Sequence, residues 1–178
     1  MSKAEAVQKQ GVELFMRKEY EEALPLFQEA HTLFTAENRA DMAAEMRVNI
    51  GLVYRALGQD QQALDEMTEA LRFFEAAADE RRSAMVLGNL GRVYAAIGDN
   101  EQAYTCFRTA ADIFDQLGEK ALHSETMLAM GDLQAKERKF GAAASSYEIG
   151  LSERDRLTAR QKVMKGLIDL RSRLTGGN

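Results

Sequence analysis

Proline occurs once in these 178 residues, at Pro25, and cysteine once, at Cys106. A lone cysteine cannot close an internal disulfide, so packing has to hold the fold, and a reducing compartment is expected. No stretch reaches the roughly 20 apolar residues that a membrane-crossing helix needs. The opening Met1-Ser2-Lys3-Ala4-Glu5 lacks the apolar segment of a secretion signal. The expectation is a cytoplasmic protein with no membrane partner. Glycines fall at regular intervals and nothing resembles a linker, so a single domain over residues 1–178 is expected. An excess of basic charge is also missing. The formal net charge is −5, whereas neutralising phosphates takes a basic surface, so no nucleic-acid partner is expected.

Chemical constellations are equally scarce. His31 and His123 each lack a second His or Cys at the spacing of helical metal ligands, which argues against zinc. Cys106 stands beside Phe107, either as a small buried hydrophobe or as an exposed thiol, and no base or oxyanion donor is apparent for it. Glycines occur singly rather than in a phosphate-cradling loop. The expectation is a non-catalytic protein with no catalytic residue, no metal and no cofactor.

What is present is a repeat. Asn49-Ile-Gly-Leu-Val-Tyr-Arg-Ala-Leu-Gly58 returns 40 residues later as Asn89-Leu-Gly-Arg-Val-Tyr-Ala-Ala-Ile-Gly98, and the same ruler reaches Gly11 and Gly131. Fixed self-similarity of this length signals a solenoid. In each first half, residues at helical spacing form one packed face: Arg47, Ile50, Gly51 and Tyr54, then Leu87, Leu90, Gly91 and Tyr94, then Met127, Met130, Gly131 and Gln134. These helices should end near Lys18, Gly58, Gly98 and Arg138. Asp60, Asp99 and Asn100 stand where a second helix takes its N-cap. The second helices repeat Ala23/Ala63/Ala103/Ala143, Phe27/Met67/Phe107/Tyr147 and Ala30/Ala70/Ala110/Gly150. Phe34, Phe74 and Phe114 close the first three units, and Arg154 takes that place in the fourth. Pro25 implies that the first of these helices starts late or bends. Val163, Leu167, Leu170 and Leu174 make a final amphipathic helix fit to cover the open end of the stack, with Thr175-Gly176-Gly177-Asn178 frayed beyond it. Charge is uneven: the chain from Glu153 onward carries +4, leaving −9 on residues 1–152.

These residues resemble the tetratricopeptide repeat family, whose pattern sets Leu, Gly, Tyr, Ala, Phe and Ala at fixed offsets; one unit reads Ile50, Gly51, Tyr54, Ala63, Met67 and Ala70 there and the next Leu90, Gly91, Tyr94, Ala103, Phe107 and Ala110, with Gly58 and Gly98 between their halves. The 40-residue period is similar to that of kinesin light chain, G-protein-signalling modulator and bacterial quorum-response regulator repeats. The resemblance implies an all-α helical-hairpin solenoid of four repeats (about 3–38, 41–78, 81–118 and 121–157) with a capping helix at about 159–174, nine helices in all. It also implies a right-handed superhelix whose first helices line a concave groove, and a scaffold that binds protein or peptide without chemistry of its own.

At 100° per residue, the face of each first helix opposite its packed side is Glu5, Lys9, Val12 and Met16, then Glu45, Asn49, Leu52 and Ala56, then Met85, Asn89, Arg92 and Ala96, then Glu125, Ala129, Asp132 and Lys136. The groove residues are therefore expected to be Lys9, Val12, Met16, Glu45, Asn49, Leu52, Met85, Asn89, Arg92 and Asp132. Asn is a poor mid-helix residue, yet it recurs at one register as Asn49 and Asn89. Either the amides hydrogen-bond the backbone of a bound segment or each ties its helix to a neighbour. The resemblance places Asn49 at a peptide-contacting position. A carboxylate clamp of the chaperone-binding subtype is not met, because Gln8, Val12 and Met85 stand where it needs Lys, Asn or Arg. A mixed apolar and charged groove suits an amphipathic helix or an extended peptide. The expected protein is a monomeric adaptor for a protein or peptide partner; the alternative is a module that self-associates, a dimer if the last helix is exchanged.

Overall fold

A computed structural model describes residues 1–154 and 157–174. Among them nine helices follow one another without a strand: α1 (Lys3–Met16), α2 (Tyr20–Ala36), α3 (Ala40–Ala56), α4 (Asp60–Ala76), α5 (Glu80–Ile97), α6 (Asn100–Gln116), α7 (Lys120–Lys136), α8 (Phe140–Ser152) and α9 (Ala159–Leu174). Each helix packs on its successor, and the first helices of neighbouring pairs also touch, α3 on α5 and α5 on α7. The result is an all-α solenoid of four helical pairs followed by α9. The frayed end expected at residues 175–178 lies outside the described residues.

The turns are more regular than the sequence suggests. Lys18, Asn38, Gly58, Ala78, Gly98, Gly118 and Arg138 all have positive φ, between 54° and 88°, and are spaced 20 apart. At each, the next residue's N–H reaches back five residues to a carbonyl, as in Glu19 N–H to Leu14 O (3.0 Å), Gln59 to Tyr54 (2.8 Å) and Asp79 to Phe74 (2.9 Å). This is a left-handed C-cap that satisfies carbonyls left over at the helix end. The sequence period is 40, but the backbone period is 20, because three or fewer residues separate each of the first seven helices from the next. Of the expected N-caps only Asp99 holds, its carboxylate accepting from Gln102 N–H at 3.1 Å. Asp60 and Asn100 are the first residues inside α4 and α6, since the preceding turn closes one residue earlier than a side-chain cap would require. Nor does Pro25 delay α2: the helix starts at Tyr20, at the same register as Asp60 and Asn100, and runs on through an exposed Pro25.

Packing follows the small-large-small pattern of the second helices. Ala23, Phe27, Ala30 and Phe34 are buried in α2, and Ala63, Met67, Ala70 and Phe74 in α4. The first-helix glycines make room for the large residue. A Cβ on Gly51 would lie 2.7 Å from Met67 Cγ, and one on Gly91 would lie 2.7 Å from the Phe107 ring. Each buried Phe or Met contributes about 1.5–3 kcal/mol of transfer free energy. First helices are also buried on a second side that the repeat signature does not mark. Met46, Val53, Val86, Val93 and Leu133 are all buried, on clusters that include the preceding pair. Every first helix from α3 to α7 is thus wedged between two second helices. In the fourth pair Arg154 replaces the closing Phe, and its Nε donates to Ser124 Oγ at 2.9 Å.

The last helix departs from expectation. Thr158 caps α9 reciprocally with Gln161. The helix touches α8, however, with Ile168 buried and Met164 half-buried. Val163, Leu167 and Leu170, expected to cover the stack, are 65%, 63% and 53% exposed. The side chain of Leu174 lies outside the described residues. Ile168 lies one residue on from Leu167, about 100° round the helix, so the face that docks is adjacent to the stripe and not the stripe itself.

Candidate functional site

Side by side, the first helices leave a run of hollows on the face away from their packed sides. Between α3 and α5 a hollow of about 300 Å³ is lined by Glu45, Val48, Asn49, Leu52, Phe74, Arg81, Arg82, Met85, Val86 and Asn89. Met85 and Asn89 also line the next, about 120 Å³, with Gly88, Arg92, Phe114, Leu122, Glu125 and Thr126. Arg92 leads on to a third, about 340 Å³, with Ala95, Ala96, Phe107, Ala129, Asp132, Leu133 and Lys136. Seven of the ten residues expected in the groove line this run: Glu45, Asn49, Leu52, Met85, Asn89, Arg92 and Asp132. Lys9, Val12 and Met16 of α1 are exposed but line none of the three hollows. Leu52 is half-buried and packs against the α4/α5 core, so it forms floor more than rim.

The charges are mostly paired with each other. Arg82 Nη1 contacts Glu45 Oε1 at 2.9 Å, its Nε contacts Asp79 Oδ2 at 2.6 Å, and its guanidinium sits over the Phe74 ring, 4.8 Å from the centroid. Asp79 is held below the usual carboxylate range, first by the hydrogen bond from the Arg82 backbone N–H and then by the Arg82 side chain. One unit on, Arg92 Nη2 bridges to Glu125 Oε1 at 2.7 Å. Arg92 is therefore engaged with the next first helix. Arg82, which binds α3 to α5, escaped the sequence reading because its partner Glu45 is 37 residues away. Asp132 accepts from Tyr147 Oη at 2.8 Å.

The amides behave differently. Asn49 Nδ2 has only a 4.0 Å approach to Met46 Sδ, and Asn89 Oδ1 only a 3.5 Å contact from Arg92. Both contacts stay within the residue's own helix. Among the described residues, neither amide hydrogen-bonds a neighbouring helix, and both face the α3/α5 hollow.

Elsewhere, reactive groups are dispersed. Burial, with a smaller push from Asp99, raises the Cys106 thiol to about 11, so it is a protonated core residue rather than a nucleophile. His31 lines a separate hollow of about 470 Å³ between α2, α3 and α4, where burial and then Arg47 lower its pKa. His123 pairs with Glu153 at 2.7 Å near the end of α8. Among the described residues no group of three or more His, Cys, Asp or Glu could hold a metal ion, and no helix is long and apolar enough to cross a membrane.

The family model of the soluble NSF attachment proteins, SNAP, matches residues 4–158. The chain belongs to the SNAP family. Among solved structures, BtubC (BKLC) from P. vanneervenii superposes with a TM-score of 0.77 at 16% identity, covering 97% of this chain and 72% of that one. PilF from Pseudomonas aeruginosa superposes with a TM-score of 0.55 at 18% identity, covering 98% and 93%. At such identities the likeness is one of fold, and that fold is the tetratricopeptide-like helical repeat. No curated protein matches the sequence. SNAP and tetratricopeptide-like folds are commonly protein-interaction modules and generally non-catalytic.

Proposed function

We propose that this SNAP-family chain is a non-catalytic adaptor that holds a peptide or helical segment of a protein partner along the first-helix groove. The observation that carries the reading is the α3/α5 hollow, where two amides without inter-helix bonds, Asn49 and Asn89, stand over an apolar floor that includes Val48, Leu52 and Val86. An amide offers a donor and an acceptor at once, which suits the backbone of a bound segment. The floor suits apolar anchor side chains from the same segment. Because Glu45/Arg82 and Arg92/Glu125 neutralise each other, the groove favours a partner with apolar anchors and little net charge.

The test is the double variant Asn49→Ala/Asn89→Ala. Ala is the better helix former by up to about 0.7 kcal/mol per site, so the melting temperature should hold or rise. Each lost partner bond should cost about 0.5–1.5 kcal/mol, or roughly tenfold or more for the pair in the Kd of a protein retained from native lysate by the wild type. A melting temperature lower by several degrees with unchanged affinity would return both amides to a structural role and remove this reading.

A further inference from the structure

The geometry points to a second interaction surface: we propose that the exposed stripe of α9 (Val163, Leu167, Leu170) docks an acidic amphipathic helix of a partner protein. By the 40-residue ruler these three stand at the register of Ala43, Arg47 and Ile50 in α3, and of Ser83, Leu87 and Leu90 in α5. In those helices the register is the middle of the packed face, wedged between a preceding and a following second helix. α9 has α8 on one side, and no described helix covers the stripe.

Charge identifies the occupant. Over their helical bounds the second helices carry −3 (α2), −4 (α4), −2 (α6) and −1 (α8), whereas α9 carries +4. Lys162 and Lys165 are exposed beside the stripe. A second α9 would bring two +4 helices together, so isologous pairing is disfavoured, whereas an acidic helix is attracted. The best template is α4, the most acidic of them. Its buried face is Ala63, Met67, Ala70 and Phe74.

The probe is a synthetic peptide of residues 60–76, titrated onto the full chain up to about 1 mM at low salt, where even an affinity of only ~4 kcal/mol registers. Binding is expected to shift the NMR signals of Val163, Leu167 and Leu170 and to weaken at high salt. Leu167→Ser/Leu170→Ser should reduce affinity at least tenfold without altering the melt, both side chains being exposed. Lys162→Glu/Lys165→Glu should reduce it as well, leaving the apolar stripe in place. Asn49→Ala/Asn89→Ala should change nothing here, which separates this surface from the groove. Absence of binding up to ~1 mM, or binding indifferent to both α9 variants, overturns the proposal. So does concentration-dependent dimerisation that Leu167→Ser/Leu170→Ser abolishes, since the occupant is then a second copy. Adsorption to phosphatidylcholine–phosphatidylserine vesicles with no peptide binding would assign the stripe to a lipid surface instead.

Discussion

Gly51 and Gly91 occupy one register but face different neighbours, and the difference sets their tolerance. The atoms crowding a Cβ at Gly51 are Met67 Cγ and Cε, of which only the outer end can swing aside, with the Ala63 carbonyl oxygen at 3.3 Å; at Gly91 they are the edge of the rigid Phe107 ring. Gly91→Ala should therefore destabilise by about 1–3 kcal/mol, and Gly51→Ala should destabilise less, because the end of Met67 can rotate while its buried Cγ and the Ala63 carbonyl resist, and the roughly 1 kcal/mol of helix propensity gained offsets part of the cost. Leu at either site should be severely disruptive. Equal melting temperatures for the two Ala variants would show that the ring yields as readily as the thioether. Ala78 is the opposite case, a residue with a Cβ at φ 54°. The left-handed conformation costs an L-residue about 1–2 kcal/mol, part of which glycine returns through its freer unfolded chain. Ala78→Gly should accordingly stabilise by about 0.5–1 kcal/mol, read as a higher denaturation midpoint; a lower midpoint would mean the turn carries no strain.

Between elements, one side chain ties the middle of the stack together. Arg82 joins the Asp79 turn, Glu45 on α3 and the Phe74 ring on α4. Asp79 has a depressed native pKa, so its contribution is complete above the ordinary carboxylate value near 4 and is lost as pH falls through the lower native value. Asp79→Asn should thus lower stability at pH 7 and converge with the wild type in strong acid; parallel stability curves from pH 7 to 2 would exclude the linkage. This tie was not legible in the sequence, because a pair 37 residues apart leaves no local pattern. Helix existence and register were legible, since Gly, Ala and aromatic positions recur through the 40-residue period. The 20-residue turn period was hidden because Lys18, Asn38, Ala78 and Arg138 share a backbone conformation, not a side chain. Seven groove residues followed from helical angle alone; α1 fell outside the hollows because that angle fixes a direction and not a neighbour. The facing of α9 was misjudged for the same reason, its strongest apolar stripe being turned away from α8.

For the whole molecule, α9 contributes stability through a narrow contact. Removing residues 158–178 uncovers the surface that Ile168 and Met164 occupy, which should cost about 2–3 kcal/mol and lower the melting temperature by several degrees. A truncated chain melting with the wild type would show that the fourth pair stands without α9. Because the major interfaces join successive helices, with lighter contacts between adjacent first helices, no long-range closure among the described residues holds the two ends of the stack together. Pulled from its ends, such a chain has no single breaking point. It gives way pair by pair, each released pair of 40 residues adding roughly 140 Å of contour at 3.3–3.6 Å per residue, so that under tension the protein is an extensible tether whose length changes in equal steps.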